Sequence, residues 1–531
     1  MTGTGRLVRL ILRRDRVLLP LWVVVLALVP AGYVGSFREL FPTEAERLQY
    51  ATVSAGNAGF VALYGPLHGS SLGELVAWRG GFLPVMIALF SLLTVVRHTR
   101  ADEEAGRTEL IGAGVVGRRA GLAAALTVTL GATVVLALIL APAMISQGLP
   151  VAGSVLLAAE YALAGWVFAA AGAVAAQLAA GARTARAIAV VALGAAYALR
   201  LAGDVSGAGG GPVSWLAWLS PIGWVQRMFP YGENRWWPGA LVLVLTAGLV
   251  ATAAVLAARR DVGAGLVAPR PGPAAAAPGL RTPVALAWRL HRGPLAGWIA
   301  GFAALGLVFG GVVRSVADLT SGNPALARIF ARMGGSSGAT DSFLAGTTGL
   351  MGVIAAACAV QATLRLRDEE TAGHAELVLA TGSGRLRWIG SHLLFALAGP
   401  ALALAVGGAV CGLVAGLTLH DSGQFTRVLG GMLAQLPAVA VLGALTVLLF
   451  GVVPRAAPAA WAAVAGCVLL LMTGATLGLS QWVMDLSPFT HVPHLPGGEP
   501  SATPFVILTA VAVVFAGAGL AGARRRDIPA T

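Results

Sequence analysis

Twelve apolar runs, each near the ~20 residues a helix needs to cross a bilayer, leave this chain few folds. They fall near residues 17–36, 80–97, 120–146, 153–180, 187–202, 238–258, 296–316, 344–364, 388–418, 428–452, 458–480 and 503–522. Lipid admits only helices and closed barrels, because every backbone group must find its partner inside the protein. Runs of this length predict an all-α polytopic membrane protein of about twelve transmembrane helices. Composition agrees: 57% of residues are hydrophobic and 11% charged, against ~25% charged in soluble proteins. The shortest run, 187–202, closes on Arg200 and Asp204.

Every basic side chain that is not His is Arg, and the formal net charge is +13. The arginines cluster in short connections between apolar runs, so anionic headgroups and the positive-inside bias explain them better than nucleic acid does. One set of connections holds Arg97, Arg100, Arg107, Arg118, Arg119, Arg183, Arg186, Arg259, Arg260, Arg365, Arg367, Arg385, Arg387, Arg455 and Arg524 to Arg526. The opposite set is poorer: Arg38, Arg47, Arg79, Arg227, Arg235, Arg328, Arg332 and Arg427. Twelve spans put both termini on one side, and this bias makes that side cytoplasmic. Arg6, Arg9, Arg13, Arg14 and Arg16 before the first run resemble a signal peptide; with no clear cleavage site after it, a retained first helix is expected. Trp215, Trp218, Trp224, Trp236 and Trp237 mark an interfacial anchor on the outer side. Cys358, Cys411 and Cys467 are too scattered for a disulfide framework or a metal site.

The chain repeats itself. Asp102-Glu103-Glu104-Ala105-Gly106-Arg107-Thr108-Glu109-Leu110 recurs, without a gap, as Glu369-Glu370-Thr371-Ala372-Gly373-His374-Ala375-Glu376-Leu377. Leu219-Ser220-Pro221 recurs as Leu486-Ser487-Pro488, and Arg260-Asp261-Val262 as Arg526-Asp527-Ile528. Near the start, Arg13, Arg16 and Trp22 match Arg289, Arg292 and Trp298. Matches built from charged and turn residues do not arise from Ala, Gly, Leu and Val bias. Residues 1–260 and 288–531 thus read as two six-helix halves, and the Pro/Ala-rich segment 261–287 as a cytoplasmic linker. Six spans per half make the repeats parallel, related by an axis along the membrane normal.

The acidic-glycine segment after the second span of each half is the most polar stretch of the chain. Glu103 and Arg107 stand four apart, as do Glu370 and His374, a spacing that pairs side chains on a helix. Gly106 and Gly373 predict a close backbone approach or the end of a helical turn. Acidic residues do little for topology, so a segment recurring in both halves points to a contact made twice. Glu160, Asp204, Arg314, Asp318 and Asp485 lie in or near spans, where charge is a functional candidate.

The run Glu103-Glu104-Ala105-Gly106-Arg107-Thr108-Glu109-Leu110 resembles the coupling segment of the membrane permeases of ABC-type antibiotic exporters, the actinobacterial fused two-half type. The likeness extends to two six-span halves, the Arg-Arg-Asp-Val ending of the first half and a Pro/Ala-rich linker. It implies a bacterial plasma-membrane permease exporting a hydrophobic, drug-like compound. It also implies that Glu103, Glu104, Gly106, Arg107 and Glu109 contact a separate ATPase subunit, with Glu370, Gly373, His374 and Glu376 contacting a second copy. Thr371 in place of Glu104 and His374 in place of Arg107 depart from the first half. A P-loop requires Lys, and the chain has none, so ATP and Mg are expected on the partner and no catalytic residue here. The competing expectation is a proton-coupled secondary drug transporter, for which Glu160 is the best carboxylate.

Overall fold

A computed structural model describes residues 2–55, 58–208, 210–261, 263–267, 274–277, 279–321, 339–473, 480–498 and 501–527. Among these the chain is helical, with no strand. Eleven helices are long and apolar enough to cross a membrane. The remaining expected span, 458–480, is represented by helix Ala460–Thr473 and then leaves the described residues. The side chains of Arg314 and Asp318, and Arg328 and Arg332 altogether, also lie outside them. The chain forms two compact units, Met1–Gly272 and Pro273–Thr531.

In the first unit an exposed-arginine helix, α1 (Thr4–Arg14), precedes the first span, α2 (Leu18–Leu40). Only Ile11 of α1 is buried, clustered with Ala124 and Val128 of the third-span helix. Then follow α3 (Leu83–His98), a short α4 (Arg107–Gly112), and spans α5 (Ala120–Ser146), α6 (Val151–Leu178), α7 (Ala182–Ala208) and α8 (Trp237–Arg259). The Ala- and Gly-rich α6 is the most buried span of the unit; small side chains let neighbouring backbones approach it from several sides.

The run 187–202 proves to be part of the 27-residue α7. The charges that close the run are buried inside the protein. Arg200 has no exposed surface, and its Nε lies 3.1 Å from Asp204. Arg227 closes on the other side of Asp204 at 2.8 Å. Buried charge survives in lipid only when paired, which is how an otherwise marginal run tolerates both residues. Asp204→Asn leaves Arg200 facing Arg227 without its anion, a loss expected to cost about 3–5 kcal/mol and to appear as a lowered Tm. Arg227→Leu, which keeps the Arg200–Asp204 pair, is expected to lower it less.

The second unit runs α9 (Pro283–Ser321), α10 (Ala339–Thr371), α11 (His374–Leu379), α12 (Arg385–Leu419), α13 (Gly423–Leu433), α14 (Leu436–Val452), α15 (Ala460–Thr473) and α16 (Ala502–Arg525). At 33 residues, α10 is about 50 Å long at 1.5 Å per residue, well beyond a ~30 Å hydrocarbon core. Helices α14 and α16 touch backbone to backbone: a Cβ added at Gly519 would sit 2.5 Å from the Val447 carbonyl oxygen.

Two repeated anchors have one local explanation. Ser220 accepts a hydrogen bond from Gly223 N at 3.2 Å, and Ser487 one from Phe489 N at 3.3 Å. Each Ser-Pro pair thus caps a short helix, with Pro where no N–H is required. Of the five tryptophans, Trp215, Trp218, Trp236 and Trp237 are exposed, with Trp218 stacked on Trp237 at 5.4 Å, and Trp224 is half-buried, its Nε1 donating to Trp218 O at 2.6 Å.

Candidate functional site: two clamped acidic turns

The acidic segment is a turn at the end of each unit's second span. In the first unit α3 bends at Thr99, continues as Arg100–Glu104 and reverses at Gly106, where φ is +70°. In the second unit α10 continues to Thr371 and reverses at Gly373, where φ is +72°. Only glycine takes this left-handed conformation without strain. Of the two uses expected of these glycines, ending a helical turn is the one seen; a Cβ at Gly106 would meet nothing within 4 Å.

The reversal changes the expected pairing. Glu103 and Arg107 do not pair, because Gly106 swings α4 out of register. Arg107 turns back to Asp102, its Nε and Nη2 donating to Oδ1 at 2.9 and 2.6 Å. Arg14 holds the other carboxylate oxygen at 2.7 Å, and this hydrogen bond raises the Arg14 pKa above its ordinary value. The second turn repeats the contact with other residues. His374 Nδ1 lies 3.1 Å from Glu369, whose other oxygen is 2.6 Å from Arg365. Glu370 and His374 are likewise unpaired with each other. A shorter imidazole facing a carboxylate one methylene longer keeps the bridge that Arg107 makes to Asp102.

Glu103 and Glu370 instead face inward to the end of their unit's last span. Arg260 grips Glu103 with both terminal nitrogens at 2.7 Å. Gly263 N donates to the same carboxylate at 2.6 Å, and Arg100 lies 3.0 Å away. Arg526 grips Glu370 with both terminal nitrogens at 2.6 Å. The carboxylates are 7% and 6% exposed, so these are strong bidentate pairs in a poorly solvated setting. Two anchors of the repeat, recognised separately in the sequence, are the two halves of one clamp.

Glu104 accepts a hydrogen bond from Ala182 N at 2.9 Å, capping α7 where a carboxylate favours the helix N-terminus. Thr371, at the equivalent place, turns its hydroxyl back to Arg367 O at 2.9 Å. The outward side of each turn is formed by Arg107, Glu109 and Leu110 in one unit and by His374, Glu376 and Leu377 in the other. Leu110 is 81% exposed and Leu377 71%. Sequence reasoning passed over both leucines as candidates, although they stand at the same place in the repeat. An apolar residue kept in the most polar stretch of each half was the available signal.

Asp485 is exposed and bonded to Gln481 at 2.8 Å. Glu160, by contrast, is buried within α6.

A family model described as the C-terminal domain of multidrug efflux system permease Rv1217c matches residues 280–524. Over 529 residues the chain is 44% identical to the multidrug efflux system permease protein Rv1217c of Mycobacterium tuberculosis strain H37Rv, covering 99% of this chain and 95% of that protein.

Proposed function

Since the chain belongs to the multidrug efflux permease family of Rv1217c, we propose that it is the membrane subunit of an ATP-driven exporter of hydrophobic drug-like compounds. In this reading both termini and both acidic turns are cytoplasmic, and one copy of a separate ATPase subunit docks on each turn. The observation that carries it is the matched pair of turns, each held by a buried Glu–Arg clamp and each presenting an acidic residue beside an exposed leucine. Glu109, Leu110 and Arg107 meet one ATPase copy; Glu376, Leu377 and His374 meet the other. Glu103, Gly106, Glu370 and Gly373 shape the turns, and Glu104 ties the first turn to α7. Nucleotide-driven closure of the ATPase pair moves the turns together, and the clamps pass that movement to the last span of each half.

The experiment is export from inverted vesicles holding the chain and its ATPase. Transport is expected to require ATP and to persist when a protonophore abolishes the proton gradient. Transport that collapses with the protonophore while ATP stays high would replace this reading with the proton-coupled one.

A further inference from the structure

At the end of the first unit opposite its acidic turn lies a cavity of about 280 Å³. Three carboxylates line it, Glu74, Glu160 and Glu233, and no Arg does. Two of the three are already engaged. Glu74 accepts a hydrogen bond from Ser71 N at 3.1 Å within a capping box, and Glu233 is ion-paired with Arg235. Glu160 is different. It stands nine residues into α6, about 14 Å along the helix, and is 4% exposed. No hydrogen bond or ion pair reaches its carboxylate from the described residues, and it is among the residues that line this cavity.

The walls are aromatic. Tyr64 and Trp78 meet edge to face at 5.1 Å, and Trp78 Nε1 is fixed by donating to Gly65 O at 2.9 Å. His68 and Phe229 meet at 4.4 Å on another wall. Burial lowers the His68 pKa below its ordinary value, so this ring adds no positive charge at neutral pH. Gln226, the remaining polar side chain of the lining, is taken up by Gly81 O at 2.6 Å and by Arg200. Arg79 lies over one face of Tyr64 at 4.7 Å and Arg235 over one of Phe229 at 5.3 Å, but neither arginine lines the cavity. An unpaired buried carboxylate sharing a cavity with aromatic rings complements an organic cation: the carboxylate supplies the counter-charge and the rings supply cation–π contacts and apolar cover.

We propose that this cavity binds a small aromatic organic cation, with Glu160 as its counter-ion and the rings of Tyr64, Trp78 and Phe229 as its walls. The site makes the first half, at least, a place where cationic amphiphiles are held. It goes beyond the ATPase-docking reading. Because binding is measured on the permease alone, failure of either leaves the other standing.

The probe is radiolabelled benzyltrimethylammonium, applied by equilibrium dialysis to the full chain in lipid nanodiscs. Wild type is expected to bind it saturably, one per chain. Glu160→Gln is expected to weaken binding at least tenfold while melting no lower than wild type, because the carboxyl group it replaces has no partner among the described residues to lose. Trp78→Leu is expected to weaken binding several-fold, Glu160→Asp to retain most of it, and neutral N-benzylacetamide not to compete. Absent saturable binding, undiminished binding by Glu160→Gln, or full competition by the neutral analogue would overturn the proposal. So would a lower Tm for Glu160→Gln, which would mark the carboxylate as a structural group already satisfied within the fold.

Discussion

Reversing both clamps, Glu103→Arg together with Glu370→Arg, is expected to leave little folded protein in the membrane. Each substitution removes a carboxylate held by a bidentate guanidinium and puts a third or second cation in its place. Breaking a buried ion pair by removing one partner costs about 3–5 kcal/mol. The two clamps lie in separate compact units, so their losses should add. Their sum is comparable to the 5–15 kcal/mol by which a typical domain is stable. Yield and Tm in detergent are the measurements. A double variant that folds at full yield would mean that water screens these carboxylates despite their 7% and 6% exposure. Absence of the ATPase from a preparation of this variant would therefore say nothing about docking, because the surface itself would be gone.

The docking surface is tested by Leu110→Asp with Leu377→Asp. These side chains are 81% and 71% exposed, so the free permease should keep its Tm within experimental scatter, as exposed sites usually do. An aspartate in an apolar contact, beside Glu109 or Glu376, should nevertheless expel the partner. Co-purified ATPase is expected to fall at least tenfold, equivalent to ~1.4 kcal/mol or more, and ATP-dependent efflux to fall with it. The single variants separate the two contacts. Arg107 and His374 give the turns different outward chemistry, so Leu110→Asp and Leu377→Asp should not cost the same. Full ATPase recovery with the double variant would remove the leucines from the interface.

The spans were legible because hydropathy over some twenty residues depends on composition and not on packing. The 187–202 run lies inside a 27-residue helix: in the sequence Arg200 and Asp204 suggest a helix end, but they are a buried pair inside it. The repeat was legible for a similar reason, since charged and turn residues recurring at nearly constant spacing stand out from an Ala/Gly/Leu/Val background. The pairings were not. A spacing of four residues suggests Glu103 with Arg107, but the left-handed Gly106 rotates the helix that follows, and Asp102 takes Arg107 instead. The true partner of Glu103 is Arg260, separated from it by 157 positions. Local periodicity cannot reach that far. Only the shared recurrence of Glu103 with Arg260, and of Glu370 with Arg526, hinted that these residues belonged together. Glu160 was visible as a charge within a span, but the aromatic cavity before it is assembled from loops far apart in sequence.

The clamps also bear on how the chain is made. Each joins the turn after a half's second span to the first residues beyond its last span, Arg260 in one case and Arg526 in the other. Neither carboxylate can meet its arginine until all the spans of that half have left the ribosome. In each half the acidic turn is translated well before its arginine. Each half can therefore close its clamp only after its last span has been translated.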